Sequence, residues 1–234
     1  MLNAKFWANY FKVYDVLNLL IPYQSLLEKI CDELDIKSGE KILEAGCGTG
    51  NLAVKIEERG AEVIGLDNCQ EALDIYRKKN PGAKLVLADL AEKLPFPDNY
   101  FDKIASNNTI YAIPKERRDF LIKDFFRILK PRGRIVIANM KSGWRPINIY
   151  FDHIKKDIKK SGILISFLKL ITLIIPTIKM FYYNIKAVRA GKGGSVSFFV
   201  PGEQKLLLTK YNFKKVSNDI NVYSDQAILN SAEK

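Results

Sequence analysis

Lys41-Ile-Leu-Glu-Ala-Gly-Cys-Gly-Thr-Gly-Asn-Leu-Ala53 decides how the rest of the chain is read. An apolar strand through Ile42 and Leu43 runs into Gly46, Gly48 and Gly50, and helical periodicity resumes at once. Glycines at alternate positions remove Cβ atoms from the turn, permit positive φ and let the backbone approach a ligand closely. The helix that follows leaves its first N–H groups pointing into the same space. Glu44, at the strand end, is placed to meet a hydroxyl or an amine of that ligand. A dinucleotide fingerprint would put its third small residue at Asn51, whereas here it falls at Gly50, and the Glu44 carboxylate opposes a pyrophosphate. The turn by itself still leaves a dinucleotide open.

Outward from this turn, short β-rich runs alternate with helical periods. A helix over 51–58 closes at Gly60, and a second strand over 62–66 ends at Asp67, 21 positions beyond Gly46. That spacing lets a βαβ unit present a carboxylate to a ribose diol. A helix over 71–79 and a strand over 84–87 follow, with Asp89 and Leu90 just past the strand's carboxyl end. The fourth strand is expected over 103–106, a helix opened by Pro114 runs to Leu129, and Pro131-Arg132-Gly133 precedes a fifth strand over 134–140. Residues 213–220 and 225–229 are expected as a final antiparallel pair. Upstream, 3–20 reads as a helix with Phe6, Tyr10, Tyr14 and Leu17 on one face, ended by Pro22 and followed by a helix over 25–34. The alternation predicts a doubly wound α/β sheet with right-handed crossovers.

The chain has 234 residues, 47% hydrophobic and 27% charged, which suits one domain over 1–234 with a helical cap over 1–38. Cys31, Cys47 and Cys69 are odd in number and lack metal-ligand spacing, so a reduced, cytoplasmic protein without a metal is expected. The first 20 residues carry Lys5, Lys12 and Asp15 and are not expected to be a signal peptide. The net charge of +11 is concentrated in an insert over 142–195: nine basic residues against Asp152 and Asp157 lie between Asp152 and Lys192. The insert is too long for an ordinary αβ connection. Its first part puts Ile147, Phe151 and Ile154 on one side of a helix. Residues 163–178 are nearly all apolar but hold Lys169 and Pro176, short of the ~20 residues that span a bilayer. A lid over the active site, an interfacial element on an anionic membrane and a dimer interface all remain open. Gly191-Lys-Gly-Gly194 is expected to close the insert as a joint.

Six segments then occur together in order: Glu44-Ala-Gly-Cys-Gly-Thr-Gly50, Gly65-Leu-Asp67, Ala88-Asp-Leu90, Leu94-Pro-Phe-Pro-Asp98, Phe101-Asp102 and Leu129-Lys-Pro-Arg-Gly133. In combination they resemble the methyltransferase 11 type of class I S-adenosylmethionine-dependent methyltransferases, over about residues 41–140. The resemblance implies a seven-stranded, mostly parallel Rossmann-like sheet with an antiparallel last strand. It implies a cofactor site in which Gly46, Gly48 and Gly50 form the loop and Glu44 faces the amino-acid end. Asp67, with Asn68 beside it, would hold the ribose; Asp89 would hold the adenine amine, Leu90 its face, and Asn107 the methionyl side. Tyr10 to Asn18 also resembles a Tyr-Asp-x-x-Asn helix of quinone methyltransferases.

The activity so implied is methyl transfer from S-adenosyl-L-methionine to a small or lipid-like acceptor, such as a quinone precursor or a phospholipid headgroup. Ser106-Asn107-Asn108-Thr109 departs from the Asn/Asp-Pro-Pro-Tyr/Phe pattern of enzymes that methylate nucleobase amines. An RNA methyltransferase and a non-catalytic cofactor-binding partner protein stay as alternatives. The net charge suggests RNA, but the basic residues interleave with Ile and Leu runs and mark no polar groove. Candidates for a base or an orienting group are the single histidine, His153, and Tyr10, Tyr14 and Tyr111.

Overall fold

Ile42, Leu43, Ile104, Ala105, Ile135 and Ile137 are fully buried, and strands this apolar on both faces form the centre of a sheet covered by helices on either side. In a computed structural model the chain is described over residues 4–194 and 196–234, without the side chains at 4, 167 and 169–174. The expectations that touch residue 3, the Lys169 side chain and Ser195 lie outside the described residues.

The elements run α1 (Ala4–Tyr14), α2 (Ile21–Leu34), β1 (Lys41–Ala45), α3 (Asn51–Glu57), β2 (Glu62–Asp67), α4 (Gln70–Lys79) and β3 (Lys84–Leu87). Then come β4 (Phe101–Asn107), α5 (Lys115–Ile128), β5 (Leu129–Met140), α6 (Pro146–Ser161), α7 (Ile163–Lys192), α8 (Glu203–Lys210), β6 (Ile220–Val222) and β7 (Ala227–Glu233). The sheet has seven strands in the order β3-β2-β1-β4-β5-β7-β6. The first five are parallel, and β7 lies antiparallel between β5 and β6. The order reverses between β1 and β4, the switch point outside whose carboxyl ends ligands bind in open α/β sheets.

Several sequence expectations need correction. Pro22 does not end a helix but sits in the first turn of α2, where a missing N–H loses no bond. The 3–20 helix breaks after Tyr14 into a short 3₁₀ turn, Asp15–Leu19. Pro131 to Gly133 does not precede the fifth strand but bulges within it: Phe101 pairs with Leu129 and Lys103 with Arg134. Arg132 takes φ 65° there, and its N–H bonds the Lys234 carbonyl. The final pair is shifted, since only Ile220–Val222 forms β6 and its partner is Ala227–Glu233. In α6 the buried side is Ile149, Tyr150, His153 and Asp157, leaving Ile147 and Phe151 exposed. Lys192 ends α7, so the expected joint begins inside that helix.

Candidate active site

The glycine turn is fixed by backbone bonds before any side chain acts. Gly46 and Cys47 donate N–H bonds to the Leu66 carbonyl at 2.7 and 3.0 Å, which fastens the end of β1 to the end of β2. Gly46, Gly48 and Gly50 all have positive φ. A Cβ on Gly48 would stand 2.6 Å from the Phe11 ring and one on Gly50 2.5 Å from the Tyr76 ring. The turn is thus clamped between α1 above and α4 below.

A cavity of about 450 Å³ opens beside it, within the usual range for small-ligand sites. Glu44, Gly46, Gly48, Asp67, Asn68, Asp89, Leu90 and Asn107 all line it. Gly50 does not, because its Cα is turned toward Tyr76. Asp67 accepts N–H bonds from Gly48 at 2.8 Å and from Cys69 at 2.9 Å. Burial raises its pKa, and those two donors oppose the rise. Asp89 Oδ1 accepts the Ala91 N–H at 2.8 Å. Glu44 is 3% exposed, and its Oε2 has no partner. Burial pushes the Glu44 pKa well up, against a bond from the Ala53 N–H. Asn107 Oδ1, Asn108 Oδ1 and Asn51 Nδ2, on the same wall, also lack partners. Buried polar groups are nearly always satisfied, so four such atoms around one cavity mark where a polar ligand supplies the missing bonds.

The charge of the wall is one-sided. Glu44, Asp67, Glu71 and Asp89 line it, and among the described residues no Lys, Arg or His does. Such a wall suits a cationic ligand with hydroxyls and amines and opposes a dinucleotide pyrophosphate. The donor set therefore fits S-adenosylmethionine, whose sulfonium and amine are positive.

Local reading of the sequence missed how the N-terminal segment holds the turn. Thr49 donates to Asp15 at 2.6 Å, and Asn18 Nδ2 to Asn51 Oδ1 at 2.9 Å. Lys79 bridges Asp15 at 3.0 Å and Asn51 Oδ1 at 2.9 Å. Asp15 and Asn18 are the polar positions of the Tyr-Asp-x-x-Asn stretch, which was the available signal. Ser106 and Thr109 brace the other side, donating to the carbonyls of Ala45 at 2.9 Å and Gly46 at 3.2 Å.

Beyond the turn the cavity becomes aromatic. Tyr10, Tyr14, Tyr23, Tyr111, Trp144 and Tyr223 line this part, drawn from α1, α2, the loops after β4 and β5 and the turn before β7. Tyr23 donates to the Tyr14 hydroxyl at 3.2 Å. Burial raises the pKa of Tyr14 and Tyr111 above the usual phenol value, which favours the protonated phenol. Asn139 accepts the Tyr111 N–H at 3.2 Å, and Arg118 Nη2 bonds the Tyr111 carbonyl at 3.1 Å. Asn184 and Ala187 of α7 close the far side.

His153 is neither on this wall nor at the surface. It is buried in α6, where its Nδ1 accepts the Ile21 N–H at 3.3 Å. The first N–H groups of a helix lack intrahelical acceptors, so an inward imidazole satisfies one at the start of α2.

Comparison with known proteins agrees with this geometry. A family profile described as "Methyltransferase domain" matches residues 43–137. Demethylmenaquinone methyltransferase of Shouchella clausii is 29% identical over 164 residues, covering 65% of this chain and 69% of that protein. Phosphoethanolamine N-methyltransferase 1 of Zea mays is 31% identical over 135 residues, 55% of this chain and 26% of that protein. A bacterial relative from Paenarthrobacter aurescens is spanned over only 50% of its length, so the chain matches about half to two thirds of these bacterial relatives. The crystal structure of a SAM-dependent methyltransferase from Aquifex aeolicus superposes with a TM-score of 0.60 at 16% identity, covering 94% of this chain and 92% of that one. The motif order, the matched segment and the seven-stranded sheet agree: residues 43–137 match a methyltransferase domain, and the chain has the fold of the S-adenosylmethionine-dependent methyltransferases it superposes on.

Proposed function

We propose that this chain transfers the methyl group of S-adenosylmethionine to a small, lipid-like acceptor, and that an uncharged quinone precursor fits better than a phosphate-bearing headgroup. The observation that carries this reading is the two-part cavity: carboxylates and partnerless polar atoms beside the glycine turn, then an aromatic chamber. The relatives act on acceptors of both kinds, a quinone precursor and phosphoethanolamine. A phosphate would need a cation on the wall, and none of the described wall residues supplies one.

Bound cofactor supplies an activated methyl group on its sulfonium. The chain's own work is to bind, align and exclude water. Asp67 would take the ribose hydroxyls with the lone pairs left free by Gly48 and Cys69, and Asp89 the adenine amine over Leu90. Glu44 and Asn107 would take the amino-acid end. Tyr14 and Tyr111 would orient the acceptor by donating hydrogen bonds. The inward faces of α1 and α7 would keep water from the reacting centre. We place the protein in the cytoplasm, where the buried thiols of Cys31, Cys47 and Cys69 stay reduced.

Calorimetric titration with S-adenosylhomocysteine tests the cofactor assignment. Wild type should bind in the micromolar range, and Asp67→Ala should weaken binding by about 1–3 kcal/mol, the loss expected for a charged hydrogen bond. Transfer of labelled methyl to a demethylated quinone should exceed transfer to phosphoethanolamine. Binding without turnover of any acceptor would favour the non-catalytic alternative, and turnover on RNA alone would overturn the acceptor assignment.

A further inference from the structure

The helix α7 is amphipathic in the inverse sense. At 100° per residue, Leu164, Leu168, Ile175, Ile178 and Tyr182 fall within an arc of about 80°. All five are exposed, Leu164 at 73% and Ile175 at 69%. Ser166, Met180, Asn184 and Ala187 lie on the opposite face and are buried. Polar Ser166 and Asn184 therefore point inward while large aliphatic side chains point out. A helix that met only water on its outer face would show the reverse pattern. The neighbouring α6 repeats the feature on a smaller scale, with Ile147, Phe151 and Ile158 exposed along one stripe. Exposed apolar side chains grouped in this way mark an interaction site.

Charge identifies the occupant. No acidic residue occurs in the thirty residues of α7. Lys155 and Lys159 of α6 and Lys179, Lys186 and Arg189 of α7 are all exposed on the same sides as the apolar stripes. Lys186 stands 4.4 Å over the Tyr182 ring, a cation and an aromatic side by side at the stripe's end. Two copies of this segment would bring like charges together, whereas an anionic lipid surface meets both its apolar and its basic parts. Over the described residues no helix is long and apolar enough to cross a membrane.

We propose that α6 and the outer face of α7 dock on an anionic bilayer, with the apolar stripe in the headgroup region and the lysines on lipid phosphates. The inner face of the same helix supplies Asn184 and Ala187 to the cavity, so only one helix diameter, about 10 Å, separates the lipid surface from the acceptor chamber. Docking does not depend on methyl transfer; its bearing on acceptor supply rests on the lipid-like reading of that chamber.

Sedimentation of the full chain with vesicles tests this directly. Wild type should sediment with phosphatidylcholine vesicles containing about a third phosphatidylglycerol, far less with phosphatidylcholine alone, and less as salt rises. The variant Leu164→Glu/Leu168→Glu/Ile175→Glu changes only exposed side chains. It should lose at least about tenfold in vesicle affinity, with its thermal midpoint and S-adenosylhomocysteine affinity unchanged. The proposal is overturned if wild type ignores anionic vesicles or the variant binds them as well as wild type. It is equally overturned if light scattering shows a dimer that the same substitutions dissociate, which would assign the stripe to a second copy. None of these results bears on whether the protein binds its cofactor.

Discussion

Replacing Glu44 by glutamine should make the protein more stable and a poorer cofactor binder. The Glu44 side chain is 3% exposed, and its Oε2 has no partner. A buried group left unsatisfied costs about 1–3 kcal/mol, more when charged. Glutamine keeps the shape of the side chain and removes the charge. At about 2–4 °C per kcal/mol for a chain of this size, the ligand-free midpoint at neutral pH should rise by roughly 2–12 °C. The sign with pH follows from linkage. Burial raises the folded pKa above the ordinary 4.5, so above that value the native state binds more protons than the unfolded chain. Stability of the wild type therefore falls as pH rises from 4.5 through the folded pKa. The advantage of Glu44→Gln should be smallest in acid and grow toward neutral pH.

Cofactor affinity should move the other way. Loss of a charge-assisted bond of about 1.5–3 kcal/mol weakens S-adenosylhomocysteine binding roughly 10- to 150-fold. Thermal melts across pH, paired with calorimetric titration, read both effects. A variant that melts below wild type at neutral pH, or that binds the nucleoside as tightly, would refute the reasoning.

Three further substitutions probe other parts of the site. Gly50→Ala forces a side chain onto φ 77° and to within 2.5 Å of the buried Tyr76 ring. Urea unfolding should show a loss of about 2–5 kcal/mol, the sum of left-handed strain and overpacking. Asp15→Ala frees Thr49 and Lys79. Its ion pair is partly exposed, so stability should change by less than about 1 kcal/mol, while the KM for cofactor rises several-fold; an unchanged KM would show that the N-terminal clamp is idle. His153→Ala should lower stability by about 1 kcal/mol, the worth of its bond from the Ile21 N–H, and leave kcat within about twofold. A loss of about a hundredfold in kcat would return His153 to the list of bases.

How much could be read without the structure differs from feature to feature. The glycine turn and the five parallel strands were legible because their signals are local: apolar runs, glycine at fixed offsets and carboxylates at strand ends. The helical faces were less so. Ile147 and Phe151 look like the core side of α6, yet Ile149, Tyr150 and His153 are buried instead. Periodicity finds a stripe but does not say what lies against it. Pro22 reads as the end of a helix and Pro131 as a turn ahead of the fifth strand, whereas one opens a helix and the other sits in a bulge within the strand, since proline forbids a donor rather than a direction.

The sequence by itself determined the order of strands and helices, the turn between β1 and α3 and the acids at the ends of β1, β2 and β3, because each depends on residues close together in the chain. Only the tertiary structure decided the far wall of the cavity. Tyr14, Tyr23, Tyr111, Trp144, Asn184 and Tyr223 are up to 209 positions apart and share no motif. The same packing turned the aliphatic face of α7 outward. Which residues meet across such distances, and which face of a helix is left for a partner, is set by how whole elements close on one another. Burial of the remaining surfaces decides that, and no single stretch of chain contains it.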